Sequence, residues 1–129
     1  MAATKKKTKE TWLRPSLRVR LIDETSRHYN TKVTVEDVVS PYSCVVRTDS
    51  GRVLDDVDPR DCETIVPKGD GHDVVMVVRG RDAGRLGVIL GRDKRTSVAA
   101  VQFLPDKDQV VKLDYDDICH FVGDVDMYS

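Results

Sequence analysis

Beginning at Leu17, apolar and polar residues alternate with a period of two. Leu17, Val19 and Leu21 point one way, and Arg18, Arg20 and Ile22 the other. Alternate residues of an extended chain face opposite sides, so this pattern is that of a half-buried strand. The same signal predicts ten short strands, over residues 17–22, 32–36, 44–47, 52–54, 62–66, 74–78, 86–90, 98–104, 109–113 and 118–122. Turn residues separate them. Asp23–Thr31 is a polar hairpin, Ser40-Pro41 a break, Asp49-Ser50-Gly51 a hairpin turn, and an acidic stretch runs through Pro59. Later come charged or proline-bearing turns at 79–84, 92–95 and 105–108, and Asp114–Asp117 predicts one helical turn. Pro67-Lys68-Gly69-Asp70-Gly71 is the strongest breaker, and it sets a module boundary.

The two halves repeat. Leu17 aligned on Val74 brings Cys62 onto Cys119 and Ile65 onto Val122 at an offset of 57, which shrinks to about 53 where Val33 meets Leu86. Matching ends around a variable hairpin are the mark of a duplicated β-module. Two copies of about 50 residues, each of five short strands, predict two small closed barrels rather than one sandwich. Neither buries much apolar surface alone, so they are expected to pack together. The expected organisation is a disordered basic tail at 1–11, a first barrel at 12–67, a linker at 68–73, a second barrel at 74–123 and a tail at 124–129.

Composition narrows the classes. The chain has 129 residues and a formal charge of −1, which argues against a general polycation. Locally the balance shifts, since Lys5, Lys6, Lys7 and Lys9 face only Glu10 in the first ten residues. Such a run suits a nuclear-import signal, a loose phosphate-binding arm or a solubilising tail. No apolar run nears the ~20 residues of a membrane-spanning helix, and no signal-peptide pattern opens the chain, so neither a membrane nor a secreted protein is expected. Seven aromatics are too few to stack many bases or line a peptide groove. Cys44, Cys62 and Cys119 form no CxxC pair and are odd in number, so they read as small buried hydrophobes of a reducing compartment. Cys119 and His120 adjoin in a strand and point apart, which disfavours a zinc site.

The most specific string runs from Val75 to Ile89: strand, then Gly80-x-x-x-Gly84-x-x-Gly87, then strand. Gly80 and Gly84 suit positive φ in a turn, while Gly87 suits a sharp bend or a close backbone approach. A dinucleotide fingerprint needs a helix after its glycines, and Leu86–Leu90 is a β-branched strand instead. A P-loop needs Gly-Lys-Ser/Thr, which is missing here.

This string resembles the KOW motif of SH3-like barrels. The wider chain adds Trp12-Leu13-Arg14, Leu17–Arg20, Tyr29–Lys32, Val35–Val38, Gly51–Leu54, Glu63–Pro67 and Tyr115–Cys119. Together, over about residues 12–123, these are similar to the C-terminal region of the G-patch and KOW-motif-containing splicing proteins. A weaker similarity links them to the tandem SH3-like region of Kin-type zinc-finger nucleic-acid-binding proteins. The resemblance implies an all-β chain of two tandem SH3-like five-stranded barrels, the second carrying the KOW motif. It further implies a monomeric, RNA-binding accessory module of a nuclear pre-mRNA splicing factor. Its expected partners are single-stranded pre-mRNA or snRNA and spliceosomal proteins. In that family a separate glycine-rich G-patch recruits a DEAH-box helicase. Eight glycines spread through this chain leave no room for one, so the sequence reads as a fragment or a reduced relative. The first hairpin, 27–32, also lacks the KOW glycines.

Arg79, Arg81, Arg85, Arg92, Lys94 and Arg95 face only Asp82 and Asp93, and are the expected RNA contacts. Arginine bridges phosphate oxygens bidentately and stacks on unpaired bases. The bland alternative is that these cations pair with the two aspartates on a solvated surface. The loops at 79–84 and 91–96 are expected to leave the same end of the barrel. Lys94-Arg95-Thr96-Ser97 fits a basophilic-kinase pattern that makes Ser97 a candidate phosphosite, although short matches of this kind are mostly accidental. Asp55, Asp56, Asp58 and Asp61, like Asp114, Asp116 and Asp117, lack calcium-loop spacing and read as solvated loops. No catalytic set, metal site or cofactor is expected. The rival function is a protein-docking module within the spliceosome.

Overall fold

The computed structural model describes residues 11–69 and 73–127. The lysine run of the expected N-terminal tail, the middle of the 68–73 linker and residues 128–129 lie outside the described residues. The chain divides between Glu63 and Thr64 into two compact units.

The first unit contains β1 (Arg18–Leu21), β2 (Lys32–Ser40), β3 (Ser43–Thr48), β4 (Val53–Val57) and β5 (Cys62–Thr64). They form one antiparallel sheet in the order β4-β3-β2-β1-β5. The second contains β6 (Val74–Val77), β7 (Leu86–Asp93), β8 (Val98–Phe103), β9 (Val110–Asp114) and β10 (Ile118–His120), in the order β10-β6-β7-β8-β9. In each sheet the first strand lies between the second and the last, so the two orders are the same. Among the described residues, helix is confined to three-residue 3-10 turns at Pro59–Asp61, Tyr115–Asp117 and Val125–Met127. The first two each introduce the last strand of their sheet.

The repeat extends to the backbone. Asn30 N–H donates to the Leu21 carbonyl at 2.7 Å, and Gly84 N–H donates to the Val77 carbonyl at 2.7 Å. Both residues take positive φ, 66° and 98°. Asn30 therefore does in the first hairpin what Gly84 does in the second, because asparagine tolerates the left-handed region better than other side chains. The second strands share a bulge, between Val35 and Asp37 and between Ile89 and Gly91. Pairing of Val19 with Val33 and of Val75 with Gly87 sets Val33 against Gly87. Leu21 stands on Val77 and Leu17 on Asp73, so the offset is 56 where 57 is expected, and the expected matches of Leu17 with Val74 and of Val33 with Leu86 are each one residue out.

β2, β3, β4 and β7 run longer than the alternation predicts. β2 and β7 continue past their bulges, which break the period without ending the pairing. This draws Arg92 and Asp93, expected in a turn, into β7. Asp55 and Asp56, expected in a loop, lie in β4, a strand at the end of the sheet order where charged side chains find solvent on both faces.

Alternation fills the cores. In the first unit Leu17, Val19, Val33, Val35, Cys44 and Val46 are at most 1% exposed. In the second, Val75, Val77, Ile89, Ala99, Val101, Phe103 and Ile118 form one cluster, with Val66 and Tyr115 packed against it. All three cysteines are buried and reduced, as small hydrophobes would be.

Candidate nucleic-acid interface

The first candidate loop joins β6 to β7. Its turn is closed by Ala83 N–H to the Gly80 carbonyl at 3.2 Å and Arg85 N–H to the Asp82 carbonyl at 3.1 Å. Gly80 and Gly84, at φ 91° and 98°, supply the left-handed steps. Gly87 meets a different demand. A Cβ built there would lie 2.4 Å from Val101 Cγ1 and 2.9 Å from the Gln102 carbonyl oxygen, so β8 approaches too closely for any side chain. The 3-10 turn braces the loop: Val78 N–H donates to the Asp117 carbonyl at 2.8 Å, and the Arg79 guanidinium to the Asp116 carbonyl at 2.5 Å.

The loop's three arginines have different surroundings. Arg79 is held against Asp116. Arg85 lies flat on Phe103, 4.0 Å from the ring centroid, donates to Gln109 Oε1 at 3.2 Å and stands 3.9 Å from Asp82. It roofs the core and leaves only part of its guanidinium to solvent. Arg81 is exposed, with no side-chain partner among the described residues.

The second loop joins β7 to β8. The Asp93 carboxylate accepts from the backbone N–H of Arg95 at 3.1 Å and of Thr96 at 3.4 Å, which fixes the turn and leaves Lys94 and Arg95 pointing to solvent without a side-chain partner among the described residues. Ser97 is exposed at φ 58°, and its carbonyl accepts from Tyr115 N–H at 2.9 Å. Arg92 behaves otherwise. Its guanidinium donates twice to the Pro67 carbonyl, at 3.1 and 2.8 Å, and pairs with Asp73 at 3.2 Å. With 20% of its side chain exposed, it ties the chain before β6 to the second sheet.

The loops do not leave the same end of the sheet. Leu86 pairs with Met76 beside the first loop, and Asp93 pairs with Val98 beside the second, so all of β7 separates them. Successive hairpins of a meander must alternate ends. Eight residues at about 3.3 Å put the loops on the order of 25 Å apart along the strand. Any ligand touching both must run the length of β7. The sequence signal for this was present, since one continuous strand joins the loops. No signal announced that Arg92 is turned inward; the bulge before Gly91 re-aims it.

The first unit carries a different surface. Its β1–β2 hairpin has Arg27 against Asp23 and Glu24, where the β6–β7 loop has three arginines against Asp82. A cleft of about 430 Å³ lies beside it, with Leu21, Leu54 and Val57 in its wall and Asp23, Asp55, Asp56, Asp58 and Asp61 around it. Arg60 donates to the Asp58 carboxylate, at 2.7 Å for the shortest contact, and holds its pKa below the ordinary carboxylate value. The Thr25 hydroxyl and N–H do the same for Asp23. Among the described residues, no three His, Cys, Asp or Glu side chains gather as a metal-ligand set.

The sequence has relatives among known proteins. The G-patch domain and KOW motifs-containing protein of Mus musculus is 52% identical over 115 residues, covering 87% of this chain and 23% of that protein. The Homo sapiens protein of the same name is 50% identical over 118 residues, 89% of this chain and 24% of its own length. Protein MOS2 of Arabidopsis thaliana is 30% identical over 125 residues, 94% of this chain and 26% of its own. The chain thus spans about a quarter of the length of these relatives. A sequence model named GPKOW C-terminal domain matches residues 17–123, which takes in both five-stranded sheets from β1 to β10. That match spans both copies of the duplicated sheet, and the chain belongs to the GPKOW C-terminal domain family.

Proposed function

We propose that this chain is an RNA-binding accessory module of a nuclear pre-mRNA splicing factor, built from two SH3-like barrels of which the second carries a KOW motif. The shared strand order, the first strand lying between second and last, and the 3-10 turn before each closing strand support the barrel reading. The KOW reading rests on Gly80, Gly84 and Gly87, each with its own backbone reason. The relatives' names carry both G-patch and KOW, and splicing is what the family resemblance implies.

The observation that carries RNA binding is the division among the six cations. Arg92 and Arg85 are spent on the fold, Arg79 is braced by Asp116, and Arg81, Lys94 and Arg95 are left to solvent at the two ends of β7. A formal charge of −1 for the whole chain makes the attraction local, so affinity is modest. Phosphate contacts release counterions with a slope of log K on log salt of about −0.7 each for single strands, so these three predict a slope of about −2.

The test is a salt series of single-stranded RNA titrations. Arg81→Glu combined with Lys94→Glu and Arg95→Glu should lower affinity and flatten the slope while the NMR spectrum stays folded. Unchanged affinity and slope in that variant overturn the reading. Lys5→Glu, Lys6→Glu and Lys7→Glu separate the lysine run from the loops. If only they abolish binding, the barrels dock protein, for which the acid-lined cleft of the first unit is the surface to examine.

A further inference from the structure

β4 lies at one end of the first sheet, and among the described residues nothing pairs with its outer edge. The phase of the hydrogen bonds says which groups are open. Thr48 N–H donates to the Arg52 carbonyl at 2.8 Å, and Leu54, opposite Val46, is the next residue to bond with β3. Val53 lies between them, so its N–H and carbonyl face away from the sheet. An open edge is a template for another strand, and proteins blunt such edges with charge and bulges. β4 has both, since a bulge sets Asp55 and Asp56 against the step from Cys44 to Val46, with Asp56 at φ 59°.

The cleft of about 430 Å³ in the first unit runs along this edge. Every residue from Arg52 to Asp58 lines it. Neighbours in a strand point to opposite faces, so a cavity that touches all of them follows the edge rather than one face. Leu21 and the β1–β2 hairpin supply the rest of the wall.

We propose that this cleft docks an extended basic segment of a partner protein, which adds to β4 as a further strand. Backbone bonds at Val53 align the added chain with β4. Its side chains then alternate between the apolar wall of Leu21, Leu54 and Val57 and the aspartates of the rim, so lysine or arginine alternating with aliphatic residues fits. Charge selects the occupant. Five aspartates and one arginine line the cleft. Asp58 is held by Arg60, Asp23 by Thr25 and Asp56 by Ser43, which leaves Asp55 and Asp61 without a hydrogen-bond or ion-pair partner among the described residues. A second copy of this chain would bring the same aspartates to the same edge and be repelled, as would RNA. The blunting is thus selective, and a cationic strand passes it. No cation of β7 takes part, so the site stands apart from the RNA reading.

The isotope-labelled full chain is titrated at low salt with a short synthetic peptide alternating lysine and valine. Amide signals of β4 and the β1–β2 hairpin should shift, and hydrogen exchange at Val53 should slow, while the β6–β7 and β7–β8 loops stay unmoved. Asp55→Asn combined with Asp61→Asn should weaken binding about fivefold, the worth of two modest surface ion pairs. The same peptide with an N-methylated backbone keeps its charge and loses its donors, so it should bind more weakly and leave Val53 exchange unchanged. Absence of shifts in β4, shifts confined to the second unit, or equal affinity in the double variant overturns the proposal. Equal binding of the N-methylated peptide overturns it too, since charge alone would then hold the ligand. If Lys5→Glu, Lys6→Glu and Lys7→Glu move the same β4 signals with no peptide present, the occupant is the chain's own lysine run and the partner is refuted. The wild-type titration decides even where the double variant fails to fold.

Discussion

The three glycines of the second hairpin meet three different obstacles when a methyl group is added, and the costs should differ accordingly. At Gly84 a Cβ meets nothing within 4 Å, so Gly84→Ala is charged only for holding alanine at φ 98°. That is about 1–2 kcal/mol. Gly80→Ala, at φ 91° and equally open, should cost about the same. Gly87→Ala has no φ penalty, but its methyl would sit 2.4 Å from Val101 Cγ1 and 2.9 Å from the Gln102 oxygen. Val101 is a fully buried core residue and Gln102 is paired to Val88, so neither can retreat without moving β8. The cost should reach about 3 kcal/mol or more. Gly84→Asn should recover part of the Gly84→Ala loss, because Asn30 already holds the equivalent position at φ 66°. Urea unfolding should be followed by the amide NMR signals of β7 and β8, which report on the second sheet directly. The reasoning fails if Gly87→Ala is milder than Gly84→Ala, or if Gly84→Asn is no better than Gly84→Ala.

Other outcomes follow from the same geometry. Arg92→Ala should destabilise the second unit by about 1.5–3 kcal/mol, since it removes charged hydrogen bonds to the Pro67 carbonyl and leaves Asp73 unpaired; the salt slope of RNA binding should not move. Phe103→Ala, which empties a wholly buried site beneath Arg85, should cost about 3–5 kcal/mol and shows as loss of second-unit NMR dispersion at low urea. Asp58 and Asp23 have folded pKa values below their unfolded ones, so their stabilisation is complete above about pH 4 and is lost as pH falls through the folded values. Asp58→Asn should therefore flatten the acid limb of the first unit's stability curve. Ser97→Glu puts a negative charge beside Lys94 and Arg95 and should weaken RNA binding; equal affinity removes Ser97 as a regulatory site.

Strand existence was legible because the period of two is imposed by burial on one face, and the sequence cannot satisfy burial any other way. Strand length was less so. Past Val35 and Ile89 the bulges shift the register, and an alternation reading stops where the physical strand does not. The turn chemistry was legible at Gly80 and Gly84, where glycine advertises a left-handed step. At Asn30 the same step is hidden in a residue that asparagine's other roles make ambiguous. Charge was legible as a count and not as a disposition. Nothing in the string Gly91-Arg92-Asp93 separates an arginine folded onto a proline carbonyl from one offered to solvent, because the partner, Pro67, lies 25 residues away.

These differences explain why duplicated modules need not share a surface. Strand order, bulge and left-handed hairpin step are backbone requirements, and both copies meet them, one with Asn30 and one with Gly84. The hairpin's charges are under no such constraint, since their side chains leave the sheet. In the second copy that freedom places Arg81 at one end of β7 and Lys94 and Arg95 at the other. In the first, the corresponding hairpin offers one arginine, Arg27, with Asp23 and Glu24 earlier in the same turn, and the cleft beside it is rimmed by aspartates. That rim offers a polyanion no footing, so an RNA titration at low salt should shift the amide signals of the β6–β7 and β7–β8 loops and leave those of the β1–β2 hairpin unmoved, and the shifts should shrink together as salt screens the loop cations. Shifts confined to the β1–β2 hairpin would mean that the wrong copy had been assigned the binding surface.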